Sequence, residues 1–133
     1  MKNKIITFLR KNTWLNGGNL FVSRHGWGNG YAVIFKDHPM YGKSYAEIPI
    51  DVHGGLTFSH DVNSLNRDSF PEITDEMKDG WMVGFDTAHY SDDMERWPKE
   101  EVKRETEHLK SQLVKLLKDD NNIFTKFNSY KKG

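Results

Sequence analysis

The sequence predicts an α+β fold in which a mostly antiparallel β-sheet packs against one long C-terminal helix. Three observations carry that expectation. Residues 98–118 hold an apolar stripe near the helical period, made of Val102, Leu109, Leu113, Leu116 and Leu117 with Thr106 in the gap. Upstream lie short runs rich in β-branched and aromatic residues, at 20–25, 31–36, 56–59 and 81–86, punctuated by glycine. The strand-like runs precede the helix instead of alternating with it, the order of an α+β chain with a sheet covered on one face.

Taken in order, residues 4–15 lack a clear period and read as a strand or short helix, ending at the turn signal Asn16-Gly17-Gly18-Asn19. Residues 20–25 and 31–36 then form a hairpin whose loop is Gly26-Trp27-Gly28-Asn29-Gly30. That loop superficially resembles a phosphate-binding glycine motif, but it opens a strand, so the helix dipole such motifs use is missing. His38-Pro39-Met40-Tyr41-Gly42-Lys43 reads as an ordered loop, with Pro39 fixing its own φ and restricting His38. Residues 45–50 suit a helical turn. Residues 61–74 are polar and form a loop, with one more helical turn at 73–78. Residues 91–97 are an acidic connection. In the helix, Pro98 suits the first turn, Glu100 and Glu101 the positive end of the dipole, and Lys115 and Lys118 the negative end. Asn121-Asn122 is expected to end it, with 123–127 returning as an edge strand.

A chain of 133 residues fits one domain, 1–133, and its eight Phe, five Tyr and four Trp suffice for a core. With no cysteine, disulfides, thiolate metal sites and thiol nucleophiles are excluded. The apolar run 5–9 is too short for a signal peptide or a membrane span, so a soluble, unexported, cytoplasmic protein is expected, with no membrane partner. A formal net charge of zero argues against duplex DNA as a partner. Charge is unevenly spread: residues 1–50 carry seven basic and two acidic groups, 51–97 three and eleven, and 98–133 nine and six. An acidic middle between basic ends suits solvated surface, or cations placed around a small anionic ligand.

The chain is organised around two stretches, Asp51-Val52-His53-Gly54-Gly55-Leu56-Thr57-Phe58-Ser59-His60 and Gly80-Trp81-Met82-Val83-Gly84-Phe85-Asp86-Thr87-Ala88-His89. Strand parity puts Leu56 and Phe58 on one face and His53, Thr57 and Ser59 on the other. In the second stretch Trp81, Val83 and Phe85 share a face, and Met82, Gly84 and Asp86 the opposite one. Gly84, with no side chain, leaves room there for a ligand. Together with residues 38–43, these motifs resemble a family of small proteins of bacteriophages and prophages, across roughly residues 30 to 93. The resemblance implies a viral setting and a shared pocket, and supplies no reaction.

His53, Asp86 and His89 are the sharpest chemical group, because imidazole serves as base or metal ligand and a carboxylate orients it or shares the metal. They are the catalytic candidates. Asp51, His60 and Asp61 extend the polar set. Plain structural roles are equally readable: His53 bonding a loop carbonyl, Asp86 capping the turn at Thr87-Ala88, and Gly54-Gly55 serving the backbone. No cofactor is expected, and no metal site is firm, since no tight spacing such as two histidines one helical turn apart occurs. A binding site would draw on His53, Gly54, Gly55, Thr57, Ser59, Gly84, Asp86 and His89, with Arg24 or Lys43 for phosphate and Trp27 or Tyr31 to stack on a base. Compact phage proteins that sequester nucleotide immune signals of their hosts fit this size. The leading expectation is thus a phage-type accessory protein, a sponge, that binds a small anionic, nucleotide-like ligand. The alternatives are a small hydrolase or phosphodiesterase acting on such a ligand, metal-dependent or built on a histidine pair, and a module that binds a host protein. Homo-oligomers are compatible with all three.

Overall fold

The computed structural model describes residues 4–12, 25–89 and 91–132, with 119–132 as helix backbone. Four strands, β1 (Ile6–Lys11), β2 (Gly28–Ile34), β3 (Phe58–Asp61) and β4 (Trp81–Phe85), precede one helix, α1 (Lys99–Lys132). All neighbouring strands are antiparallel, in the order β1-β2-β4-β3. The α+β expectation holds.

The predicted stripe is the one that packs. Val102, Thr106, Leu109 and Leu113 are buried, and they meet Ala32 and Ile34 of β2 and Val83 and Phe85 of β4, with Ile48, Val52 and Leu56 from the β2–β3 connection. Complete burial of a Val or Leu side chain contributes about 1.5–3 kcal/mol, so this stripe, and not its Lys/Glu face, fixes α1 on the sheet. His38, itself buried, pins the 38–43 loop to the helix: its Nε2 donates to the Leu113 carbonyl at 2.9 Å while its Nδ1 accepts from Met40 N–H at 3.0 Å.

Four expectations are corrected. The sheet is covered on both faces, because β2 reads Tyr31-Ala32-Val33-Ile34, apolar at both parities. Tyr31, Val33 and Met82 bury against Val62, Ile73 and Met77 of the segment between β3 and β4. Arg10 ties that segment to β1, its Nη2 donating to Ser69 O at 2.6 Å and its guanidinium lying 4.1 Å from the Phe70 ring centroid. Second, Gly28, Asn29 and Gly30 are not a hairpin loop. They begin β2, which is buried at every position and pairs with β1 and β4. Glycine is needed at 30 because a Cβ would collide with Thr106 Oγ1 of the helix. The first half of the expected hairpin, including Arg24 save for His25, and the 16–19 turn lie outside the described residues. Third, residues 121–127 continue α1 and form no edge strand; the asparagines' low helix propensity, of order 0.7 kcal/mol each or less, is too small to end it.

The fourth correction concerns parity. Regular pairing starts at Phe58, not at Leu56. A turn closed by Gly55 N–H to Val52 O at 2.7 Å, with Gly54 at φ +68° and Gly55 at φ +79°, interrupts the extended path. Leu56 consequently buries under α1 while Phe58 packs on the opposite side of the sheet.

Candidate functional site

The polar centre of the molecule is built on Asp92, which is only 1% exposed. Its Oδ1 lies 2.7 Å from His53 Nε2, and its Oδ2 lies 2.8 Å from His89 Nδ1 and accepts the His89 backbone N–H at 2.9 Å. Since an ionised carboxylate only accepts, both rings donate: His53 as its Nε2–H form, His89 through Nδ1–H. Burial is the largest influence on Asp92 and by itself would raise its pKa. Hydrogen bonds from the His89 backbone and from the two rings together outweigh it and hold the carboxyl below the ordinary carboxylate range.

Each imidazole is positioned by local structure and by the helix. His89 and Asp92 close their own turn, Asp92 N–H donating to His89 O at 2.9 Å. His53 sits in the 52–55 turn, and its backbone N–H donates to Glu105 Oε2 of α1 at 2.7 Å. Two helical turns further on, Gln112 brackets Asp51 by accepting its N–H and donating to its carbonyl, both at 2.8 Å. The His53 ring rests on Trp97, centroids 4.2 Å apart, and stands edge-on to His89 at 5.0 Å. Gly54 is required twice over. Its φ is positive, and a Cβ would run into the His89 ring. The histidine side chains stay partly open to solvent, at 24% and 34% exposure.

Asp86 links this cluster to a cleft. Its Oδ1 is 3.4 Å from His89 Nε2 and also accepts the Ala88 N–H at 3.2 Å, the turn-capping role open from the sequence. The cleft, of about 190 Å³, is lined by Asn12, Asn29, Tyr31, Thr57, Phe58, Phe85, Asp86 and Ala88. In it Asn29 Nδ2 donates to the Tyr31 hydroxyl at 3.4 Å, while Asn29 Oδ1 is buried with no hydrogen-bond partner among the described residues. Burial pushes the Tyr31 phenol up from its ordinary value, against the lowering effects of Asn29 and Arg10.

The structure therefore brings together His53, Asp86 and His89, with Gly54 beneath them and Thr57 in the adjoining cleft, but through loops and not through shared strand parity. Phe58, expected on the far side, lines the same cleft as Thr57 and Asp86. The room left by Gly84 is filled: a Cβ there would lie 2.5 Å from Tyr31 Cδ1 and 2.9 Å from the Gly30 carbonyl oxygen. Tyr31 is buried against Phe8, Phe58 and Phe70, with its ring stacked on Phe8. Ser59 Oγ accepts the Tyr45 N–H at 2.9 Å and so anchors a loop. Lys43 is exposed, and its carbonyl takes the Trp81 indole N–H at 2.8 Å. Trp27 packs on the helix-side core with Lys99 over its ring. Gly55 shapes the turn, and Asp61 caps the 62–64 turn beside an exposed His60.

Asp92, Glu105 and Trp97 are the site residues that sequence reasoning missed. The His89-Tyr90-Ser91-Asp92 spacing is the one local signal, because an aspartate three residues on can fold back to the histidine N–H.

No family model, curated protein or solved structure matches this chain. Among the described residues no helix is long and apolar enough to cross a membrane.

Proposed function

We propose that the protein binds a small anionic, nucleotide-like ligand, with a ring system in the cleft and the rest of the ligand extending past Asp86 toward His53 and His89. The observation that carries this reading is the position of Asp86, which belongs to both the cleft and the histidine cluster. At about 190 Å³ the cleft is smaller than the roughly 300–1,000 Å³ pockets that enclose whole drug-sized ligands, so it suits one ring system. Its apolar lining of Tyr31, Phe58 and Phe85 suits a flat heterocycle. The unpartnered Asn29 Oδ1 and the Asp86 carboxylate are acceptors, so the matching ligand edge donates N–H groups. In the phage setting that the motifs suggest, binding of this kind sequesters a nucleotide signal in the host cytoplasm.

Turnover is the second reading, favoured by one observation: Asp92 orients both imidazoles, the arrangement that makes one histidine a base and another an acid. Calorimetric titration with a panel of nucleotides and their nucleosides tests the binding proposal, followed by chromatography of the recovered ligand. Tight binding of a nucleotide, weakened by Asn29→Leu and Asp86→Asn, with the ligand returned intact, supports sequestration. Many turnovers per chain, abolished by His53→Ala or His89→Ala, support hydrolysis. No binding by any member of the panel to the folded protein refutes both.

A further inference from the structure

We infer that His53, His89 and Asp92 form a binding site for one first-row divalent metal ion of the zinc type, with His53 Nε2, His89 Nδ1 and an Asp92 carboxylate oxygen as ligands. These ligand atoms all lie within 4.8 Å of one another. Two imidazoles and a carboxylate are the donor set of open, three-ligand zinc sites, and the nitrogen donors disfavour magnesium and calcium. The His–Asp separations of 2.7 and 2.8 Å are hydrogen-bond lengths. Ligands about 2.0–2.2 Å from a tetrahedral ion stand roughly 3.4 Å apart, so the rings need to open from the carboxylate by roughly 0.6 Å as the metal replaces the two bridging protons. Both rings are partly exposed, which permits that movement and leaves the fourth coordination position open on the solvent side.

Two further features point the same way. With His89 ligating through Nδ1, its other nitrogen faces Asp86 Oδ1 at 3.4 Å, the carboxylate–histidine–metal arrangement that orients metal-bound imidazoles. Asp86, a ligand candidate in the sequence, thereby becomes the outer carboxylate, and Asp92 takes its place on the ion. The local charge also suits a cation. Asp92 and Asp86 flank the rings and Glu105 holds the His53 N–H, so three carboxylates surround two imidazoles. A bare anion is repelled there, and a dication inverts the field. Where a ligand phosphate is concerned, this rests on the binding reading above, with the ion's open position as its anchor; the metal site itself does not.

The test uses the full untagged chain, stripped with chelator and dialysed, then titrated with Co²⁺ and back-titrated with Zn²⁺. The expected result is one cobalt per chain with the intense visible bands of four-coordinate cobalt, displaced by one equivalent of zinc. His53→Gln and His89→Gln should each weaken binding at least about 100-fold, and Asp86→Asn roughly 10-fold, within the 10–100-fold range of outer-shell losses. Far-UV circular dichroism and a thermal melt in chelator establish that each variant is folded. Asp92→Asn is the less secure variant because Asp92 is buried, and so the histidine variants decide. Cobalt binding that is absent from the folded wild type, or equal in the His53→Gln/His89→Gln double variant, overturns the inference, since the latter places the ion on other histidines. Because no nucleotide enters these titrations, metal binding succeeds or fails independently of the ligand panel.

Discussion

Gly84→Ala isolates the packing of the sheet's second face. The glycine pairs with Tyr31 on one side and Phe58 on the other, and a Cβ would lie 2.5 and 2.8 Å from two Tyr31 ring carbons and 2.9 Å from Gly30 O. The carbonyl oxygen is backbone of a central strand and cannot retreat. The ring can move only by leaving its stack on Phe8, at 5.0 Å, and its edge contact with Phe58, at 5.6 Å. Overpacking of this kind costs about 1–3 kcal/mol, while replacing a strand glycine by alanine recovers about 0.5–1 kcal/mol. The net effect is a loss of up to about 2.5 kcal/mol, centred near about 1 kcal/mol, which is about 3–5 °C in Tm for a domain of this size. Thermal melts by far-UV circular dichroism read the loss, and near-UV spectra read the displaced tyrosine. Tyr31→Leu in the Gly84→Ala background should recover part of the overpacking cost relative to the sum of the single changes. A Gly84→Ala protein as stable as wild type, with an unaltered near-UV spectrum, would show that the Tyr31 ring does not occupy this space.

Leu109→Ala, at a fully buried position of the helix stripe, should cost about 2–5 kcal/mol in urea unfolding; a loss under 1 kcal/mol would mean that α1 is not seated as described. For Asp92, measured in chelator, the sign follows from its lowered pKa: its contribution is present above the unfolded value and lost as pH falls through the folded one. Wild type should therefore exceed Asp92→Asn by about 1–3 kcal/mol at pH 6, with the gap closing below about pH 4; a pH-independent gap would contradict this. Tyr31 has the opposite sign, since burial raises its pKa. The phenol's contribution is present below about pH 10 and lost above it, so unfolding midpoints of wild type should fall more steeply in alkali than those of Tyr31→Phe, and parallel curves would refute the burial.

The helix and its buried face were legible because Val102, Thr106, Leu109 and Leu113 repeat at the helical period with charge aligned to its dipole, a signal contained within one segment. The same holds for β4, and in part for β2. What was not legible is non-local. Gly28 and Gly30 read as loop residues because nothing nearby in sequence reveals that Arg10 O and Thr106 Oγ1 approach them. Parity counted from His53 to Phe58 failed since two consecutive positive-φ glycines reset the direction of the chain. His53, Asp86 and His89 were recognisable by chemistry alone. Asp92, 39 residues from His53, looked like one more solvated acid in a run of them, and only the fold reveals that it is buried and shared between two rings.

The central claim, that one buried carboxylate holds both imidazoles, is tested most directly by long-range ¹⁵N–¹H correlation spectra of the metal-free protein, which report the proton on each ring nitrogen. The predicted result is a protonated Nε2 on His53 and a protonated Nδ1 on His89, with Asp92→Asn removing the Nδ1 proton's preference on His89. Finding His89 Nδ1 bare and only its Nε2 protonated in the folded wild type would contradict the Asp92-centred site.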